Sequence, residues 1–252
     1  MDGVSTQTTV DGVRAIELHY RVIREMATGQ QAFFQSRAQL NTSGLGTLMP
    51  ENFRQVAELS DQCKELFRLE LIQAMEAHNK FLEREFQFGW MSVYMPLRFL
   101  MEYSADRTLL KYCEKYEVPV NRLCFAISDR ILMKGNKTLS TAIQNLRNRG
   151  FHFMLTDFGG DGCPVMRLKD FPVDYVMLSP EAIHNMGRTE RSDSAVRSLI
   201  NFIGEMGATP IADGVQDIHQ TEALFEFGCA YCAGKLAGKY MAERYVRKKS
   251  EN

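Results

Sequence analysis

The stretch Phe151-His152-Phe153-Met154-Leu155-Thr156-Asp157-Phe158-Gly159-Gly160-Asp161-Gly162, followed by Phe171-Pro172-Val173-Asp174-Tyr175-Val176-Met177-Leu178, decides how this chain is read. It holds two short apolar runs, Phe151 to Thr156 and Asp174 to Leu178, punctuated by glycines and a proline. Neither run alternates apolar with polar. Near-continuous apolar strands belong to parallel sheets whose two faces are both covered. Similar runs stand at Phe88 to Tyr94, Arg122 to Ile127, Thr209 to Ala212 and Cys229 to Cys232. Helical patterns separate most of them, over Leu97 to Tyr116, Leu139 to Arg149, Glu181 to Glu205 and Asp217 to Phe227. Strand–helix alternation of this kind predicts an α/β fold with a parallel sheet under helices. Seven or eight such units in 252 residues fit a closed (β/α)8 TIM-like barrel better than an open doubly wound sheet. The glycine fingerprint of dinucleotide-binding sheets is missing, which weakens the open alternative further.

Towards the amino terminus the pattern changes. Ile16 to Ile23 and Gln31 to Arg37 are β-prone and flank Ala27-Thr28-Gly29, which reads as a hairpin. The first barrel strand is therefore expected to be antiparallel. A polar loop is expected from Asn41 to Met49, and a long helix from Pro50-Glu51-Asn52-Phe53 to about His78. No Pro/Gly/Ser linker divides the chain. The reading is an amino-terminal tail over 1–14, one barrel domain over 15–243 and a solvated charged tail over 244–252.

Composition narrows the function classes. The formal net charge is −1, with 45% hydrophobic and 24% charged residues. Such a chain has no bulk positive charge with which to bind a nucleic-acid backbone. No stretch approaches the roughly 18 consecutive apolar residues of a membrane helix. The amino terminus lacks a basic start followed by an apolar run, so it does not read as a signal peptide. A cytoplasmic protein with reduced thiols is expected, and six cysteines in so long a chain do not suggest a disulfide framework. The close pair Cys229 and Cys232 has no second pair at metal-finger spacing, so packing is the expected role.

In a barrel of this type, chemistry sits at the carboxyl ends of the strands. Here those ends carry Arg37, Tyr94, Ile127 to Asp129, Thr156-Asp157, Met177 to Ser179, Asp213 and Ala233. Two aspartates, Asp157 and Asp213, are the acids available to a cation. A two-metal hydrolase uses several carboxylates to hold its ions about 4 Å apart.

Several segments in order resemble the EAL domain family, barrels that hydrolyse the bacterial second messenger cyclic di-GMP. Thr156 to Gly162 and Phe171 to Tyr175 match the family's DDFGTG…LPVDY stretch at equal spacing. Ile211-Ala212-Asp213-Gly214-Val215-Gln216 is similar to AEGVE, and Gly228 to Gly234 to GCDYxQG. Pro50 to Phe53 and Leu146 to Gly150 match linking motifs, so the resemblance covers about residues 15 to 240.

The resemblance implies an EAL-type barrel and a set of site positions, most of them altered. The signature glutamate falls on Phe33, while the arginine of that motif is kept as Arg37, with Gln35 in place of leucine. The metal-binding asparagine falls on Tyr94 and the glutamate after the third strand on Ala126. Of the paired aspartates the first is Thr156 and the second remains as Asp157. The lysine that activates water is Met177, the AEGVE glutamate is Asp213, and the glutamine of QG is Ala233. Apolar side chains cannot ligate a cation, and two acids hold Mg²⁺ weakly. The expectation is a protein that is not an enzyme, with no catalytic residue, no metal and no cofactor. It would act as a regulatory module binding a protein partner in bacterial signalling. Arg37, Asp157 and Asp213 are the candidate residues for the alternative, a cyclic di-GMP receptor, although Asp161 would repel that dianion. A third reading is residual metal-dependent hydrolysis. Whether the barrel forms a homodimer stays open.

Overall fold

The structure, a computed structural model, describes residues 9–10 and 13–248. The expected tails therefore lie largely outside the described residues. Within 1–14, the pairs β1 (Thr9–Val10) and β2 (Val13–Arg14) form a small antiparallel ribbon.

Strands β3 (Ile16–Glu25) and β4 (Gln31–Thr42) form the expected antiparallel hairpin. The next strand, β5 (Gly46–Leu48), folds back on β4 where a loop is expected. The Thr42 hydroxyl closes that turn, accepting from the Leu45 amide and donating to the Gly46 carbonyl. Helices α1 (Pro50–Ala57) and α2 (Gln62–Glu83) replace the single long helix of the sequence reading. At the break, Arg98 donates to the carbonyls of Glu58 and Leu59, satisfying groups that a continuous helix would use itself.

From there strand and helix alternate. In order come β6 (Met91–Tyr94), α3 (Leu97–Leu100), α4 (Ala105–Tyr116), β7 (Leu123–Ser128), α5 (Arg130–Lys134) and α6 (Lys137–Asn148). They are followed by β8 (His152–Phe158), β9 (Tyr175–Leu178), α7 (Pro180–His184) and α8 (Glu190–Glu205). The last elements are β10 (Thr209–Ala212), α9 (Ile218–Glu226), β11 (Tyr231–Cys232) and β12 (Met241–Ala242). The stretches 97–116 and 181–205 are each two helices, not one. In the second, Thr189 starts α8 afresh by a reciprocal cap with Ser192.

Eight strands close the barrel. Their order is β3-β11-β10-β9-β8-β7-β6-β4, and the β3–β4 pairing seals the ring. All neighbours are parallel except β3, which runs against both β4 and β11. The fold class expected from sequence is the one found.

Two apolar layers hold it. Outside the sheet, Phe34, Phe67, Leu71, Phe81 and Phe125 are buried between strands and helices. Inside the barrel, Ile23, Phe33, Trp90, Cys124, Met154, Met177 and Ile211 fill the centre. At about 25 cal/mol per Å² of apolar area, these layers supply the main drive to fold. The segment after β11 returns across the hairpin. Its strand β12 pairs with β3, Arg244 reaches Glu17 at 3.0 Å and Val246 is buried, so 244–248 packs on the barrel where a solvated tail is expected. Among the described residues, no helix is long and apolar enough to cross a membrane.

Candidate functional site at the barrel mouth

Side chains alternate along each strand, so every second residue points into the barrel. The hairpin register pairs His19 with Arg37, Arg21 with Gln35 and Ile23 with Phe33. Phe33 sits deep, 8% exposed, with Trp90, Tyr175 and Tyr231 against its ring. Above it, towards the carboxyl ends of the parallel strands, the lining turns polar.

Arg21 is the centre of that polar layer. Its Nη2 donates to Asp213 Oδ2 at 2.6 Å and its Nε to Gln35 Oε1 at 2.8 Å. Both members of the pair are largely withdrawn from water, at 10% and 15% exposure. Burial disfavours the guanidinium charge, but Tyr240 and Asp213 outweigh that and hold its pKa above the ordinary value. Gln35 also places its amide 3.5 Å from the Met177 sulfur. Tyr240 lies beside both arginines, its ring 4.6 Å from the Arg21 guanidinium carbon and 5.5 Å from that of Arg37. Burial pushes the Tyr240 hydroxyl up to about 12, with Arg21 pulling against it and Asp213 pushing the same way.

The three candidate residues surround this layer without touching one another as a ligand set. Arg37 donates through Nη2 to both oxygens of Glu51, the closer at 2.9 Å. Asp213 is held by Arg21, and its other oxygen accepts from the Gly214 amide at 2.7 Å. Asp157 has a left-handed backbone, φ 62°, which is costly for a residue with a Cβ. Although Asp157 is exposed as a residue, desolvation by the atoms packed around its carboxyl pushes it up; the Thr156 hydroxyl, donating at 3.0 Å, pulls it down, and the charges of Asp129 and Asp213 raise it again.

The other positions that the resemblance marks are filled by structural contacts. Tyr94 donates its hydroxyl to Glu58, and the Arg54 guanidinium lies 3.9 Å over its ring while pairing with buried Glu70 at 2.8 Å. Ala126, Met177 and Ala233 are buried in the barrel wall. Gly234 has no room for a side chain, since a Cβ there would stand 2.5 Å from the Val215 amide nitrogen. Cys229 and Cys232 are free and buried, and burial pushes the Cys229 thiol up to about 12.

A metal does not fit this donor set. Among the described residues, no three His, Cys, Asp or Glu side chains are placed to hold an ion. Phe33 and Ala126 offer no donor atom, and Asp213 is already neutralised by Arg21.

Arg21 and Tyr240 escape the sequence reading. Arg21 faces the interior with Ile23 by the plain alternation of β3, whose other face carries Ile16, Leu18, Tyr20 and Val22 into the outer core. That alternation is the signal that marks it, while the bulge near the turn leaves Ala32 of β4 as the extra residue. Tyr240 lies in a segment with no periodicity, and nothing in its surroundings marks it.

Comparison with known proteins places the chain. The family model for the EAL domain matches residues 9–240. The cyclic di-GMP phosphodiesterase RocR of Pseudomonas aeruginosa is 22% identical over 239 residues, 89% of this chain and 61% of RocR. The cyclic di-GMP phosphodiesterase PdeB of Shewanella oneidensis is 25% identical over 140 residues, 56% of this chain and 16% of PdeB. The chain thus spans less than two thirds of either relative. The PaMucR phosphodiesterase, solved as a c-di-GMP complex, superposes with a TM-score of 0.81 at 16% identity, over 92% of this chain and 94% of that one. These kinships overturn the expectation of a protein outside enzymology: the matched relatives are named as phosphodiesterases, and altered ligand positions alone do not remove the chain from an enzymatic family. The chain belongs to the EAL domain family, a family of cyclic di-GMP signalling.

Proposed function

We propose that this chain serves cyclic di-GMP signalling as a regulatory module that engages a protein partner through its outer surface. One observation carries the reading. Val56 and Leu59, a turn apart at the end of α1, are exposed, and Arg98 ties that corner to α3, after which Met101 and Tyr103 are exposed as well. Leu59 is 78% exposed, and Tyr103, 97% exposed, lines a cleft of about 970 Å³ along α6. Large apolar side chains left exposed on two elements that Arg98 ties together favour a protein contact. The barrel mouth supports the same reading, because Arg21 is engaged with Asp213 and Arg37 with Glu51.

The test is affinity capture with the wild-type chain and with Leu59→Glu and Tyr103→Glu. A partner retained by the wild type and lost from both variants is the expected result. Capture unchanged by either substitution would overturn the proposal.

A second reading, recognition of cyclic di-GMP at the mouth, is favoured by Arg37. Its side chain is 33% exposed and its partner Glu51 60%, so that pair can open to a phosphate. Calorimetry decides it: heat saturating below about 100 μM ligand, a binding free energy beyond about −5.5 kcal/mol, and lost in Arg37→Ala supports recognition. Turnover of the dinucleotide that disappears in Asp157→Asn would instead assign the relatives' activity to this chain.

A further inference from the structure

Asp213 faces the mouth of an eight-stranded barrel, and the cation beside it is part of the chain itself. Arg21 comes from the antiparallel strand β3, 192 residues away in sequence, and meets Asp213 at 2.6 Å. Three contacts fix the guanidinium: Asp213 on Nη2, Gln35 on Nε and the face of Tyr240 at 4.6 Å. The Arg37–Glu51 pair nearby is far more exposed, and the Arg54–Glu70 pair lies under Tyr94. Among the described residues, Arg21 is the cation paired with the Asp213 carboxylate.

A divalent ion on Asp213 would need an oxygen of that carboxylate at about 2.0–2.1 Å for Mg²⁺, together with further oxygen ligands. The guanidinium nitrogen already stands against Oδ2, and a second cation there would meet a like charge a few ångströms away in a poorly hydrated layer. The side chain cannot swing clear without giving up Gln35 and Tyr240 as well. The geometry points to Arg21 as a resident cation of the barrel mouth: a positioning residue that neutralises Asp213, holds the Tyr240 segment across the opening and keeps divalent metal off that carboxylate. This goes beyond the proposed partner contact and does not depend on it.

Arg21→Ala would leave a space of guanidinium shape facing Asp213, so a small guanidinium ion should refill it. Thermal melts of the full chain compare wild type, Arg21→Ala and Arg21→Ala/Asp213→Ala in methylguanidinium chloride up to about 10 mM against equal NaCl, where binding to the folded state raises the midpoint. The expected result is a higher midpoint for Arg21→Ala alone. If Arg21→Ala does not fold, recovery of its native circular dichroism by methylguanidinium, and not by NaCl, is the equivalent outcome. In parallel, wild-type protein titrated with Mn²⁺ should leave the free-ion paramagnetic signal undiminished. Equal response of all three proteins to methylguanidinium, no recovery of a misfolded Arg21→Ala, or Mn²⁺ uptake by wild type that Asp213→Ala abolishes would each overturn the proposal.

Discussion

Phe33 lies flat on Trp90, with ring centroids 4.0 Å apart and planes 7° from parallel. The sequence resemblance sets the family's signature glutamate on Phe33, and in the structure that residue is one half of an aromatic stack. Tyr175 and Tyr231 close on the same ring edge-on and tilted. The neighbours are thus fitted to an apolar ring, and a glutamate placed there would find no polar environment. Phe33→Glu should destabilise the chain by about 3–5 kcal/mol, the range for an uncompensated buried charge. Urea unfolding should show the loss to be smaller at pH 5 than at pH 7, because burial raises a carboxyl pKa and the protonated form is tolerated. Wild-type stability in Phe33→Glu at pH 7 would show that the barrel centre can still host an acid.

The Arg21–Asp213 pair makes a different prediction, about energy. A largely buried pair contributes little net stability, but removing one member strands the other. Asp213→Ala should cost about 3 kcal/mol, and Arg21→Met/Asp213→Ala clearly less than the two single losses together. Denaturant midpoints for the four proteins complete the cycle. Additive losses would mean that the pair is not coupled.

How far the sequence could be read depends on which interactions hold each element. The barrel strands are legible because their apolar runs are set by burial on both faces, as in Phe151 to Thr156. Phe33, Ala126 and Met177 are legible as altered positions because the motifs around them keep their spacing. The contacts that fill the barrel mouth are not legible. Arg21 lies inside by the alternation of β3 but meets a carboxylate 192 residues away, and the Arg54–Glu70 pair joins two helices that read as one. Helix breaks at Glu58–Asp61 and before Thr189 rest on Arg98 and on a cap, contacts too local for the hydrophobic period to register.

Glu70 is 1% exposed, and Arg54 grips it with two parallel hydrogen bonds of 2.8 and 3.1 Å. The Arg54 guanidinium also covers the Tyr94 ring. Lysine has the charge but neither the fork nor the plane. Arg54→Lys should therefore recover only a small part of the roughly 3–5 kcal/mol lost in Arg54→Ala. Calorimetric melting points rank the three proteins. A lysine variant as stable as wild type would reduce the contact to a point charge.

Asp157 carries two burdens, a left-handed backbone and a carboxyl whose pKa is raised by desolvation and by Asp129 and Asp213. A folded-state pKa above the unfolded value means that the native state binds the proton more tightly. Its contribution is then most favourable at low pH and is lost as pH rises from the unfolded carboxyl pKa through the folded one. Asparagine tolerates the left-handed region and cannot ionise. Asp157→Asn should thus raise stability at pH 7, by an amount that shrinks as pH falls below the ordinary aspartate value. Urea midpoints for both proteins at pH 7 and in mild acid test this. A gain of equal size at both pH values would assign the effect to backbone conformation and remove charge from the account, because conformational strain does not titrate.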